Sequence, residues 1–225
     1  MHCSLNIQDQ AAYTLALTGT PWRSDTSRIV LSRYLDGSKK IECEYAYGLS
    51  EAIADNVCRI PRVIIIDNDN ISITEKNETR SFSSFKDLLS LSVFPYQEVI
   101  KNDRVMIYLI ELANQKLSSI RQVNPNAAGL VVASSVGHAQ EIASLMFTVL
   151  GAQALVVGYF EEEPTKLIQK FRTGITKWVI SVGMICEGTN IPRLQVCCHL
   201  TNIKTEMHYC QIWCRILRVT DSVNQ

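Results

Sequence analysis

The sequence has no net charge: 22 lysines and arginines balance 22 aspartates and glutamates. That excludes a protein that coats nucleic acid by bulk positive charge, though a local basic groove on a neutral body stays possible. No apolar run approaches the ~20 residues that a membrane span requires. The segment Met1 to Gln10 lacks a basic stretch followed by an apolar one, so no secretory leader is expected. None of the eight cysteines forms a Cys-x-x-Cys pair, and Cys197 and Cys198 stand side by side in an apolar run. The nearest approach to a metal cluster is His208, Cys210 and Cys214, which falls short of four ligands in paired spacing, so no metal site is assigned. Reduced, partly buried cysteines of a cytoplasmic protein are the expectation. There is no internal repeat and no low-complexity tract. What is left is a chain of 225 residues, enough for one large domain or for one domain and part of another.

The pattern along the chain is uneven. Residues 12–18 read as a strand that runs into a Gly-Thr-Pro turn. Leu49 to Cys58 reads as a short helix. Ile64 to Thr74 holds two β-prone runs around a polar Asp/Asn turn, which predicts a hairpin. Residues 75–98 are polar and Ser-rich and read as a connector or a peripheral insertion. From residue 99 the pattern becomes regular. Met106, Leu109, Ile110, Ala113, Leu117 and Ile120 recur at helical spacing, and Asn124-Pro125 ends that helix. The runs 129–134, 154–157, 178–181 and 194–200 are the continuous apolar type of strands buried on both faces of a parallel sheet. Helical stripes lie between them over 139–150 and 164–171, and a last helix spans 205–218. This alternation predicts an α/β fold, a parallel sheet flanked by helices. Three units are expected: 1–28, 29–98 and 99–225.

In such a sheet, ligands sit at the carboxyl ends of the strands, so chemistry is expected in the loops that follow each strand. Three segments stand out. Thr18-Gly19-Thr20-Pro21 sets hydroxyls around a glycine, where they can bond to backbone or to a carboxylate. Ser181 to Pro192 combines Gly183 and Gly188, which permit close approach of a phosphate or a nucleic-acid strand, with Glu187 and Asn190 as acceptor and amide. In Tyr209 to Arg218, Gln211 and Arg215 are an i, i+4 pair and Arg218 follows three residues later, so one helix face is expected to carry all three. Planar, permanently charged guanidinium groups suit the charge on a transferred phosphoryl group.

These segments, in this order, resemble the later motifs of superfamily-two helicases, closest to the restriction-type and DEAH-like branch. Thr18, Gly19 and Thr20 resemble motif III, which couples ATP hydrolysis to domain movement. Val132 to Ser135 sits where motif IV belongs, which implies nucleic-acid contacts for Ser134, Ser135 and Ser181. Ser181 to Pro192 resembles motif V, which implies that Gly183, Glu187, Gly188 and Asn190 face ATP. Gln211, Arg215 and Arg218 resemble motif VI, whose arginines reach the γ-phosphate. The chain departs from the pattern at Cys214, where the family has glycine, and at Asn190, where it has aspartate. It also contains no Gly-x-x-x-x-Gly-Lys-[Ser/Thr] loop and no Asp-Glu-x-His box. The resemblance therefore implies a RecA-like helicase C-terminal domain in 99–225, the tail of a first RecA-like domain in 1–28, and a β-rich connector between them. The parent activity implied is ATP hydrolysis with Mg2+ on DNA or RNA. The phosphate loop would come from a longer or a separate polypeptide, and this chain alone is expected to be inactive. Two other readings stay open: a non-catalytic module that binds nucleic acid or a partner, and an unrelated α/β enzyme that uses Cys186 or His199.

Overall fold

The computed structural model describes residues 12, 13, 15, 17–19, 27, 28, 32–34, 41–75, 78–91, 94–183, 190–203 and 205–219. Before the regular region lie helix α1 (Leu49–Ala54), the antiparallel hairpin of β1 (Ile71–Glu75) and β2 (Glu78–Phe82), and short helices α2 (Phe85–Leu91) and α3 (Tyr96–Ile100). Then follow α4 (Asp103–Val123), β3 (Ala128–Ala133), α5 (Val136–Leu150), β4 (Ala154–Gly158), α6 (Pro164–Thr173), β5 (Trp178–Val182), β6 (Leu194–Leu200) and α7 (Glu206–Ile216). The fold is α/β. Strands β3 to β6 form one parallel sheet in the order β4-β5-β3-β6, flanked by helices.

Successive residues of a strand point to opposite faces, and both faces here are covered. Val131 and Ala133 of β3 pack with Met106, Ile110 and Leu117 of α4 and with Ala139, Ile142 and Met146 of α5. Ala128, Leu130 and Val132 pack the other way, with Ile168 and Phe171 of α6 and Ile212 of α7. Double coverage explains why the strands read as unbroken apolar runs. Asn102 caps α4, its side chain accepting from the Arg104 and Val105 amides, and Ser135 caps α5. Gly129 lies so close to Trp178 that a Cβ there would sit 2.1 Å from the indole. The indole is fully buried and donates from Nε1 to Asn114 Oδ1 at 3.4 Å.

Several expectations are corrected. Among residues 12–18, Ala12, Tyr13, Leu15, Leu17 and Thr18 are not in a strand, and Tyr13 is 95% exposed. Apolar alternation makes a strand only where a sheet edge supplies hydrogen-bond partners, and none of the sheet's described strands pairs with this segment. The hairpin exists but one run later than expected: Ile71–Glu75 pairs with Glu78–Phe82, while Ile64 and Ile65 are exposed coil. The Asp67–Asn70 turn that suggested otherwise uses its side chains locally, with Asn68 Oδ1 accepting from the Asn70 amide at 3.0 Å. The segment 75–98, read as a connector or a peripheral insertion, carries β2, α2 and the start of α3, elements that the sequence did not signal. The final helix stops at Ile216, so Arg218 lies beyond it.

Candidate functional site

Five of the residues singled out by sequence fall at opposite edges of the parallel sheet: Ser134, Ser135 and Gly183 at the carboxyl edge, Asn190 and Arg218 at the amino edge. At the carboxyl edge, β3 ends in Ser134 and Ser135. The Ser135 hydroxyl accepts from the His138 amide at 3.2 Å, so that oxygen caps α5. Ser134 Oγ lies 2.8 Å from His138 Nδ1, and the Ser134 amide donates to the same nitrogen at 3.3 Å. An amide donor fixes Nδ1 as the acceptor, so the proton of the neutral ring is on Nε2, which faces the Met106 sulfur at 3.3 Å. Burial pushes the His138 pKa down. Both serines are therefore already engaged in holding the start of α5, and the residue they hold, His138, is 1% exposed.

Ser181 is 2% exposed inside β5, where it pairs with Val157 and Val132. Its side chain therefore lies inside the sheet and not at the surface, where the nucleic-acid contact was expected. Gly183 follows β5 with φ +75°, a conformation that side chains rarely adopt, and a Cβ there would meet Tyr159 at 3.0 Å. Glu187 and Gly188 lie outside the described residues, as does Thr20. Thr18 and Gly19 are exposed.

The second group lies at the other edge. Strand β6 runs parallel to β3 with Leu194 opposite Ala128, so both begin at the same, amino edge. There Arg218 Nη1 donates to Asn190 Oδ1 at 2.5 Å. Seven residues of β6 at about 3.3 Å each put this pair roughly 20 Å from the carboxyl edge. Helix α7 runs back between the two edges with Ile212 buried against the sheet, and Gln211 and Arg215, one turn apart, are partly buried along it. Asn190 and Arg218 thus meet, and Gln211 and Arg215 share a helix face.

Two arginines beside the pair were not singled out. Arg193 is 7% exposed. Its guanidinium donates to the carbonyls of Asn126 (2.9 Å), Phe171 (2.7 Å), Gly174 (2.5 Å) and Thr176 (2.7 Å) and lies 4.8 Å from the Phe171 ring centroid. It ties the loop before β3, the end of α6 and the approach to β5 into one corner. Its pKa is lowered by burial and then by Arg121. Arg59 comes from far upstream and bonds the carbonyls of Pro192, Leu194 and Ile216. A charged residue between a proline and an apolar strand was a signal for Arg193. Arg59 had no local signal.

A shallow cavity of about 370 Å³ opens beyond the carboxyl end of β6, lined by Tyr96, His199, Thr201, Ile203, Glu206 and Tyr209. The His199 ring meets those of His208 (6.2 Å) and Tyr209 (5.8 Å) edge-on. Among the described residues no group of three His, Cys, Asp or Glu side chains could hold a metal ion, and no helix is long and apolar enough to cross a membrane.

No protein-family model matches the chain. Among curated proteins it is similar to "Uncharacterized protein Rv2917" of Mycobacterium tuberculosis (strain ATCC 25618 / H37Rv), 30% identical over 216 residues, which cover 92% of this chain and 35% of that protein. It is similar to the same extent to "Uncharacterized protein MT2985" of Mycobacterium tuberculosis (strain CDC 1551 / Oshkosh). "Uncharacterized protein ML1624" of Mycobacterium leprae (strain TN) is 27% identical over 214 residues, covering 92% of this chain and 36% of that protein. The chain therefore spans about a third of the length of these relatives, whose names state no activity.

Proposed function

We propose that this chain supplies the arginine side of the ATP site in a nucleic-acid-dependent helicase or translocase of superfamily two, with residues 99–225 as its RecA-like C-terminal domain. The observation that carries the reading is the Arg218–Asn190 hydrogen bond. It joins the end of the segment that resembles motif V to the last arginine of the segment that resembles motif VI, 28 residues apart in the chain. The parallel sheet flanked by helices is compatible with the RecA-like architecture.

In this reading Asn190 holds the Arg218 guanidinium through a neutral amide oxygen. A neutral acceptor orients the fork without cancelling its charge, which stays available for a γ-phosphate. Arg215 adds a second positive charge from the last turn of α7. Arginines of this kind stabilise charge in the transition state only once the nucleotide is held elsewhere. The phosphate loop and the Mg2+ ligands must then come from polypeptide outside the 225 residues, and relatives three times as long leave room for it. ATP, Mg2+ and DNA or RNA are the ligands of that complete enzyme.

The test is ATP turnover with single-stranded nucleic acid present, by this chain alone and by this chain joined to the polypeptide that carries the phosphate loop. No turnover alone, and turnover that depends on Arg218 in the joined protein, is the expected result. Turnover by the isolated chain overturns the reading.

A further inference from the structure

We infer that Arg59 is a positioning residue for Arg218, clamping a distant upstream segment to the spot where Arg218 and Asn190 meet. The role rests on the reading of Arg218 as the phosphate-facing arginine. The clamp itself is read from geometry.

Arg59 makes four contacts that converge on this corner. Its Nη1 donates to Ile216 O at 2.8 Å and to Leu194 O at 3.2 Å, its Nη2 donates to Pro192 O at 3.3 Å, and its own amide donates to Leu217 O at 2.6 Å. Its neighbour Cys58 forms an isolated antiparallel bridge with Arg218. One residue thus ties together three pieces of chain: the segment around 58–59, the turn that leads from Asn190 into β6, and the end of α7.

The chemistry favours arginine here. The last carbonyls of a helix have no partner inside it, and Ile216 and Leu217 are at that position in α7. A cation at a helix C-terminus also suits the helix dipole. The planar fork reaches carbonyls on two elements at once, which an ammonium group does not. All four acceptors are neutral carbonyls, and burial lowers the Arg59 pKa. Arg193 makes a similar set of bonds, but only within the sheet domain. Arg59 reaches its side-chain acceptors across 133 to 157 residues of sequence. With residue 218 in a backbone bridge to Cys58 and its side chain on Asn190, displacement of residues 58–59 displaces the arginine. The upstream segment therefore sets where the Arg218 guanidinium stands.

The test uses the full chain and the variants Arg59→Ala and Arg59→Lys. Hydrogen exchange is followed together with phenylglyoxal modification of Arg218, both read by mass spectrometry. In Arg59→Ala, protection across 57–60 and 214–219 should fall at least about tenfold while β3 and β5 stay within about twofold. Arg218 should become more reactive. Millimolar ethylguanidinium should restore the protection, a rescue that a general loss of packing does not show. Arg59→Lys should fail like alanine; if the alanine variant does not fold, the lysine variant carries the test. Unchanged exchange at 214–219, loss spread over the whole sheet, or full protection in Arg59→Lys overturns the proposal. These outcomes involve no nucleotide. In the joined enzyme, Arg59→Ala should lower kcat with little change in KM for ATP. If Arg218→Ala leaves turnover intact while the exchange result stands, the nucleotide reading fails and the clamp survives.

Discussion

Replacing Gly129 by alanine is a sharp test of the core packing. A Cβ at this position would lie 2.1, 2.4 and 2.6 Å from three carbons of the Trp178 indole. Carbon atoms prefer separations of about 3.5–4.0 Å, so the indole must retreat by about 1.5 Å. It has nowhere to go: Trp178 is fully buried and its Nε1 bonds Asn114 on α4. Overpacking of this kind costs about 1–3 kcal/mol, and loss of the indole hydrogen bond adds about 1 kcal/mol. Gly to Ala in a strand returns about 0.5–1 kcal/mol of backbone entropy. The balance is a destabilisation of about 2 kcal/mol, read as a shift in urea midpoint at unchanged slope. Trp178→Leu removes the obstacle. In that background Gly129→Ala should cost almost nothing, giving a coupling energy of about 2 kcal/mol. A cost below about 1 kcal/mol in the wild-type background, or an equal cost in both backgrounds, refutes the packing argument.

Further expectations follow from other groups. Burial pushes the Cys198 thiol up to about 12, so it should resist alkylation at about pH 8 in the folded chain, while the exposed Cys43 and Cys214 react; rapid labelling of Cys198 without unfolding contradicts this. His138, His199 and His208 all have pKa values lowered first by burial, with His208 adding to the shift at His199. Each folded value lies below the unfolded value of about 6.5, so the unfolded chain takes up the protons: stability is full above that pH and is lost as pH falls through it toward the lower folded values. The Tm should therefore drop between about pH 7.5 and about pH 5.5, and a flat or rising Tm contradicts the assignment. Arg193→Ala removes four hydrogen bonds and leaves buried carbonyls without their donor, with an expected loss of about 2–3 kcal/mol in denaturant unfolding. A loss below about 1 kcal/mol would show that those carbonyls are satisfied without it.

The regular half of the fold was legible because each of its strands is covered on both faces. Continuous apolar runs at 128–133 and 194–200, and helical stripes such as Met106 to Leu117, leave little choice of period. The first hundred residues were not legible in the same way. Tyr13, Leu15 and Leu17 alternate like a strand but pair with no described strand of the sheet, and Ile64 and Ile65 resemble a hairpin arm that is coil. Periodicity reports apolarity, and pairing depends on what lies alongside.

The candidate site was legible in part. Asn190 and Arg218 were singled out by pattern, and they meet. The order of motifs does not disclose that they stand at the amino edge while Ser134 and Gly183 stand at the carboxyl edge. That follows from the return path of α7 and the entry into β6. Nor does local sequence reveal that Ser134 and Ser135 are engaged with His138, or that Arg59 closes the corner from more than 130 residues upstream. Long-range hydrogen bonds to backbone carbonyls leave no periodic trace.

The central claim is that Arg218 acts on the γ-phosphate of ATP. Its most direct test is the steady-state ATPase rate of this chain joined to the phosphate-loop polypeptide, with single-stranded nucleic acid, in wild-type and Arg218→Ala forms. An arginine of this kind is worth roughly a thousandfold or more in rate, so turnover should fall by about that factor while ATP binding is retained. Wild-type turnover by Arg218→Ala would contradict the account.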